Sequence, residues 1–239
     1  MLFLILATKL VWPEGAALER YDFLFLAALA VQAGLLICKL ETWDEAKVIF
    51  LFHLSGTAME VFKTHVGSWI YPEEALFRIG GVPLFSGFMY SAVGSYLARV
   101  ARIFAFGFTR HPPIWMTSVL AVAAYVNFFS HHYVWDARYL LMGMTLILYG
   151  SCWVHYRPRT MRLRMPLVVG FALVALFIWF AENLGTFGGA WIYPEQRAGW
   201  KLVSWSKLGS WYLLMILSFV MVSWVQPPRR EALTNAVTA

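Results

Sequence analysis

The 239-residue chain is 60% hydrophobic and only 13% charged, whereas soluble domains are about 45–50% apolar and about 25% charged. Such a chain cannot cover itself with polar surface, so most of it must face lipid. Its net charge of +6 comes from Lys and Arg gathered between apolar segments, which argues for membrane topology and against a nucleic-acid-binding face. Cys38 and Cys152 both lie inside apolar runs and offer neither a disulfide framework nor a metal pattern.

Residues 1–20 open with an apolar run, Met1 to Val11, interrupted by Lys9 and halted by Trp12-Pro13. A positive leading region and a small-residue cleavage site are both missing, so a short interfacial helix or partial span is expected rather than a cleaved signal. Spanning helices need about 20 mostly apolar residues. Seven stretches qualify: Tyr21–Leu40, Ala46–Val66, Pro83–Phe104, Pro113–Phe129, Ala137–His155, Met165–Glu182 and Lys201–Val225. The short connections hold Pro72, Gly80-Gly81, Pro112-Pro113, Pro158 and Pro194, and the prolines there break helices. The expected fold is all-α: a polytopic membrane helix bundle of about seven transmembrane helices, in one domain over residues 21–226, with a cytoplasmic tail over 227–239.

One stretch occurs twice. Glu60-Val-Phe-Lys-Thr-His-Val-Gly-Ser-Trp-Ile-Tyr-Pro-Glu73 aligns without a gap on Glu182-Asn-Leu-Gly-Thr-Phe-Gly-Gly-Ala-Trp-Ile-Tyr-Pro-Glu195 at an offset of 122. Extended outward, the same offset sets Gly87 on Gly209 and Tyr90 on Tyr212. The chain therefore reads as parallel tandem three-helix repeats, residues 21–104 and 137–225, joined by a linker helix at 113–129. Matched helices are four apart in order, so both units insert the same way up, about an axis along the membrane normal. If the third-to-fourth connection is cytoplasmic, that side collects eleven cations, Lys39, Lys47, Arg99, Arg102, Arg110, Arg157, Arg159, Arg162, Arg164, Arg229 and Arg230, against seven outside, with Lys207 in the last helix. The basic bias then puts the N-terminus and both repeated loops outside and the C-terminus inside.

Glu60 and Glu182 are the foremost candidate catalytic residues. An acid at membrane depth costs on the order of 3 kcal/mol, so it normally faces the bundle interior and has a partner or a role. Held away from water, a carboxyl group keeps its proton and can donate it. The plain alternative is an interfacial acid paired with Lys63. Glu73 and Glu195, each after a proline, are further candidates, although a first-turn carboxylate also complements a helix dipole. Trp69, Tyr71, Trp191 and Tyr193 suit either an interfacial aromatic belt or the lining of an apolar or cationic ligand. His53 shares a helix face with Glu60, and Asn183 follows Glu182; both are counted with the substrate-binding candidates. His131-His132 with Asp136 could ligate a metal, but adjacent histidines diverge and the i,i+4 pair of membrane metallohydrolases is absent, so no metal is expected. No phosphate loop, dinucleotide fingerprint or nucleophile elbow appears, so no cofactor is expected either. Gly87, Gly94 and Gly209 read as small residues that permit close helix contact.

Over Glu60–Glu73, then Gly81-Val-Pro-Leu-Phe-Ser-Gly-Phe-Met-Tyr90 and Ser95-Tyr96-Leu97-Ala98-Arg99, the chain resembles the bacterial integral-membrane family called domain of unknown function 817 (YoaT-like). That resemblance implies a multi-pass protein of the bacterial cytoplasmic membrane and brings no reaction with it. A weaker likeness is to membrane lycopene cyclases and carotenoid hydratases, since Tyr71-Pro72-Glu73-Glu74-Ala75-Leu76-Phe77 is similar to their acidic Pro-x-Glu-Glu loop; the second copy has Gln196 where Glu74 stands. Two functions follow. One is a cofactor-free acid/base enzyme acting on a polyprenoid or other lipid; the other is a small-solute transporter or sensor of three-plus-one-plus-three type. Membrane lipid is the expected partner, and the oligomeric state is left open.

Overall fold

The computed structural model describes residues 1–13 and 15–231; most of the expected tail, 232–239, lies outside the described residues. Among these the protein forms eight α-helices: α1 (Leu2–Val11), α2 (Arg20–Ile37), α3 (Trp43–His65), α4 (Phe85–Ile103), α5 (Ile114–Ser130), α6 (Arg138–Tyr149), α7 (Leu167–Phe187) and α8 (Ser206–Val225). A helix thus occupies each of the seven apolar stretches, and α1 occupies the N-terminal run. Three of them, α2, α7 and α8, are long and apolar enough to cross a bilayer by length and composition alone.

Two small sheets depart from the all-α expectation. Strands β1 (Arg78–Ile79) and β2 (Val82–Pro83) make a hairpin closed by Gly80 and Gly81, both at positive φ, as a two-residue turn of matching twist requires. Strands β3 (Gly107–Thr109), β4 (Trp153–Tyr156) and β5 (Leu163–Pro166) form an antiparallel sheet at the arginine-rich end of the bundle. The apolar stretch expected to run as a helix from Ala137 to His155 therefore stops at Tyr149 and resumes as β4. Trp153 and Val154, expected within that spanning helix, instead pair with Thr109 and Phe108.

Local sequence explains the helix ends that matter most. Thr42 and Glu45 form a reciprocal capping box that starts α3, with Glu45 Oε2 accepting from Thr42 N–H at 2.7 Å. At the far end of α3, Ser68 N–H reaches Lys63 O and Gly67 N–H reaches Thr64 O. At the end of α7, Ala190 N–H reaches Gly185 O and Gly189 N–H reaches Thr186 O in the same pattern. This is a Schellman cap, which places one residue in the left-handed region. Gly67 (φ 74°) and Gly189 (φ 68°) are those residues, which accounts for the glycine shared by the two copies.

Helices α3, α4, α7 and α8 form the centre. Glycines bring α3 and α4 together: a Cβ on Gly87 would stand 2.4 Å from His53 Nδ1, and one on Gly56 2.6 Å from the Tyr90 ring. Helix α8 packs on α3, α4, α5, α6 and α7, while α5 closes over the α3/α8 seam. Apolar stripes look outward, Trp115, Val119, Val122 and Val126 on α5, and Val169, Leu173, Phe177 and Phe180 on α7. Trp115 is 68% and Phe177 70% exposed. Stripes of this spacing would be untenable in water and suit lipid. The protein is a membrane helical bundle.

Candidate functional site

The two repeated loops meet. Ile70 and Ile192 form an antiparallel bridge, each N–H donating to the other's carbonyl at 3.0 Å. The pair sits five residues beyond the ends of α3 and α7, so both helices finish at the same end of the bundle. The loop carrying His131 and His132 lies there too, against Lys63 of α3.

Beneath this bridge the two acids are buried, Glu60 at 4% and Glu182 at 3% exposure. Three neutral donors converge on Glu60: Trp69 Nε1–H and the Tyr71 hydroxyl on Oε2, at 2.7 and 2.6 Å, and the Tyr90 hydroxyl on Oε1 at 2.7 Å. On Glu182, Tyr193 donates to Oε1 and Trp211 Nε1–H to Oε2. An indole N–H can only donate, whereas a phenol can donate or accept. Since Oε2 of Glu60 already accepts two donors, a proton on this acid belongs on Oε1, where Tyr90 can turn to accept. Each acid is thus paired with a tyrosine able to follow its protonation, and both acids line one cavity.

Two cavities share this wall. One, about 610 Å³, runs between α4 and α7; it is lined by Glu60, Glu182 and Trp191 at its head and by Met89, Val93, Leu173 and Phe177 along its length. That volume falls within the roughly 300–1,000 Å³ of small-molecule sites, and the exposure of Leu173, Phe177 and Tyr96 opens it sideways toward lipid. The other, about 270 Å³, is more polar than the first and holds Lys63, Asn127, His131, Arg138 and Lys207. Trp69, Tyr90, Glu182, Tyr193 and Trp211 border both.

The family described as "Protein of unknown function (DUF817)" matches residues 1–219. The chain belongs to it. Among curated relatives, the uncharacterized protein YoaT of Bacillus subtilis (strain 168) is 45% identical over 219 residues, which is 92% of this DUF817 chain and 83% of YoaT. Among solved structures, the mycobacterial Insig homolog MvINS from Mycobacterium vanbaalenii aligns at a TM-score of 0.54 with 12% identity, covering 79% of this chain and 98% of that one. A cross-linked MvINS trimer gives the same TM-score over 80% of this chain. At that identity the likeness is one of fold.

Not every residue singled out in the DUF817 sequence reaches the site. Glu73 pairs with the buried Arg20, which also donates to Ile5 O, to Gly188 O at 2.6 Å and to Thr8 Oγ1. That cluster fastens α1, α2, the first loop and the end of α7 together, so Glu73 is a tether. Glu195 is exposed in the 3-10 turn Pro194–Gln196. His53 faces Gly87 and Phe88 within the α3/α4 contact and lines neither cavity. Asn183 clamps the segment before α8, its Oδ1 accepting from Val203 N–H at 2.8 Å. In the second loop Gln196 is the fastener, accepting from Tyr193 N–H and donating to Lys201 O.

The structure adds Trp211 on Glu182, Tyr90 on Glu60, and the cations Arg138 and Lys207, and it turns Lys63, weighed above as a partner of Glu60, to His131 and His132 instead. Lys207, a charge inside the last apolar stretch, was the available signal. Trp211 was hidden because the repeat aligns Tyr90 with Tyr212, one residue away.

Proposed function

We propose that this protein is a cofactor-free acid/base enzyme acting on a polyprenoid or similar unsaturated membrane lipid, whose chain enters sideways between α4 and α7. The single observation that carries this reading is two buried, tyrosine-paired carboxyl groups at the head of one apolar crevice open to lipid. In the step envisaged, the proton on Glu60 Oε1 adds to one carbon of a C=C bond and leaves the neighbouring carbon cationic. The faces of Trp69, Trp191 and Tyr193 stabilise that cation by up to about 2 kcal/mol when desolvated. The Glu182 carboxylate then removes a proton from an adjacent carbon and a new C=C bond forms. No atom is gained or lost, so the net reaction is a double-bond isomerisation, and transfer of the proton from Glu182 back to Glu60 completes the cycle.

The same reading takes α2–α4 and α6–α8 as related three-helix units with α5 as the linker. Shifting α3 and α4 by 122 gives residues 165–187 and 207–225, against the observed Leu167–Phe187 and Ser206–Val225. Agreement to within two residues supports the tandem arrangement for these pairs; α2 and α6 fit it less closely. The arginine-rich end, with β3–β5, would face the cytoplasm of a bacterial inner membrane, and the bridged loops the outside.

The test is expression in a polyprenoid-producing host, with lipid extracts compared for an empty vector, wild type, Glu60→Gln and Glu182→Gln. A new lipid is expected with wild type, and its yield falls at least about 100-fold in each variant. Identical lipid profiles in all four would overturn the assignment for this substrate class.

A further inference from the structure

We propose that the polar cavity between Lys63, Arg138 and Lys207 seats a phosphate monoester, the head group of the lipid whose chain fills the α4/α7 crevice. This rests on the lipid reading above and adds the chemical class of the head.

Lys63 is 4% exposed, yet among the described residues no carboxylate forms an ion pair with it or with Lys207. The Lys63 ammonium is instead held by imidazole nitrogens, His132 Nε2 at 2.7 Å and His131 Nε2 at 3.3 Å, and lies 4.2 Å from the centre of the Phe128 ring. His131 directs its Nδ1 to the Asn127 carbonyl at 2.9 Å, so that nitrogen carries the proton and Nε2 is free to accept. Partial burial, reinforced by the adjacent ammonium, pushes His132 down to about 4, which keeps it a neutral acceptor. These rings accept from the lysine and bring no negative charge to it.

Lys207 is placed similarly, over the Tyr193 ring at 4.4 Å and farther from Trp69 at 5.8 Å. Arg138 is oriented by Asp136 at 3.2 Å and by the Ser206 carbonyl at 3.1 Å. Glu182 is the acid at the cavity wall, and both its oxygens are occupied by Tyr193 and Trp211. Lys63 is the one of the three that is both buried and without an ion-pair partner among the described residues; keeping it charged there is costly, and a bound anion would remove that cost.

Cations arriving from three different helices, α3, α6 and α8, match a tetrahedral oxyanion with several oxygens better than a planar carboxylate, which one arginine can satisfy. The cavity also adjoins the head of the crevice through five shared wall residues, so an anionic head and an apolar chain fit as one amphipathic molecule. Neither lysine belongs to the repeat: the matching positions hold Gly185 and Phe85. The anion seat is therefore singular, although the acids are paired.

The experiment measures binding to the purified full-length protein in detergent with three probes: a short prenyl phosphate, the matching prenol, and inorganic phosphate. Wild type should bind the prenyl phosphate about tenfold or more tighter than the prenol, and inorganic phosphate should compete. Lys63→Gln and Lys207→Gln should abolish that preference while leaving prenol affinity unchanged, and Lys63→Arg should retain it, which separates loss of charge from loss of fold. Equal affinity for the two lipids would overturn the head-group assignment and leave the lipid reading standing. Binding of inorganic phosphate alone would support the anion seat with a solution anion as its source and overturn the lipid reading. Binding of none of the three would overturn both.

Discussion

At the scale of single residues, identical letters acquired different work. Glu60 and Glu182 share a tyrosine partner at the same offset, Tyr71 and Tyr193, but their indoles come from different places. Trp69 serves Glu60, whereas the matching Trp191 lies over Gly185, where a Cβ would stand 2.4 Å from its ring, and Glu182 takes Trp211 instead. The acids and tyrosines were legible because they recur; Trp211 and Lys207 were not, because nothing repeats them. Glu73 and Glu195 recur as well, yet among the described residues only the first is drawn into an ion pair, and the second stands instead in a 3-10 turn. Tyr90→Phe removes the one hydroxyl on Oε1 of Glu60. Turnover is expected to fall about 10²-fold or more, with a stability loss of about 0.5–1.5 kcal/mol for a hydrogen bond between neutral groups. Assay of product beside a thermal melt separates the two effects; a fall in melting temperature with unchanged turnover would deny Tyr90 a part in proton transfer.

Among the elements, helix order and most boundaries could be read from hydropathy, because a lipid-facing helix must be apolar along its length. Composition could not reveal that Trp153–Tyr156 pairs as a strand, since the same aromatic and branched residues suit lipid and sheet alike. The α3/α4 contact was legible in outline through Gly87 and Gly94, but not that His53 lies across Gly87. Gly87→Leu must push these helices apart and is expected to destabilise the fold by about 1–3 kcal/mol or more, read as a lowered melting temperature in detergent. Gly67→Ala tests the Schellman cap. A left-handed conformation costs an L-residue about 1–2 kcal/mol, so a similar loss is expected there, and none would mean that the loop relaxes to another turn.

For the molecule as a whole, the decisive contact is the Ile70–Ile192 bridge. In an antiparallel pair that exchanges both hydrogen bonds, the Cα atoms stand about 5.5 Å apart, inside the roughly 4.4–6.8 Å that a disulfide spans. With Cys38 and Cys152 replaced by alanine, Ile70→Cys with Ile192→Cys should cross-link within one chain under mild oxidation, independently of protein concentration. Two thiols that stay free would separate the loops and dissolve the common site. Two repeats related by an axis along the membrane normal would present two equivalent seams, α3/α8 and α4/α7. Helix α5 covers the α3/α8 seam, while the α4/α7 seam stands open with Met1 and Leu2 of the N-terminal segment at its edge. A ligand that reaches its site through one sideways portal never leaves the bilayer to do so. Below saturation, the rate would then follow the ligand's mole fraction in the membrane, not its amount per volume of solution. Diluting the vesicle with inert phospholipid at constant total ligand would slow the protein, whereas diluting the suspension with buffer would leave each molecule working as before.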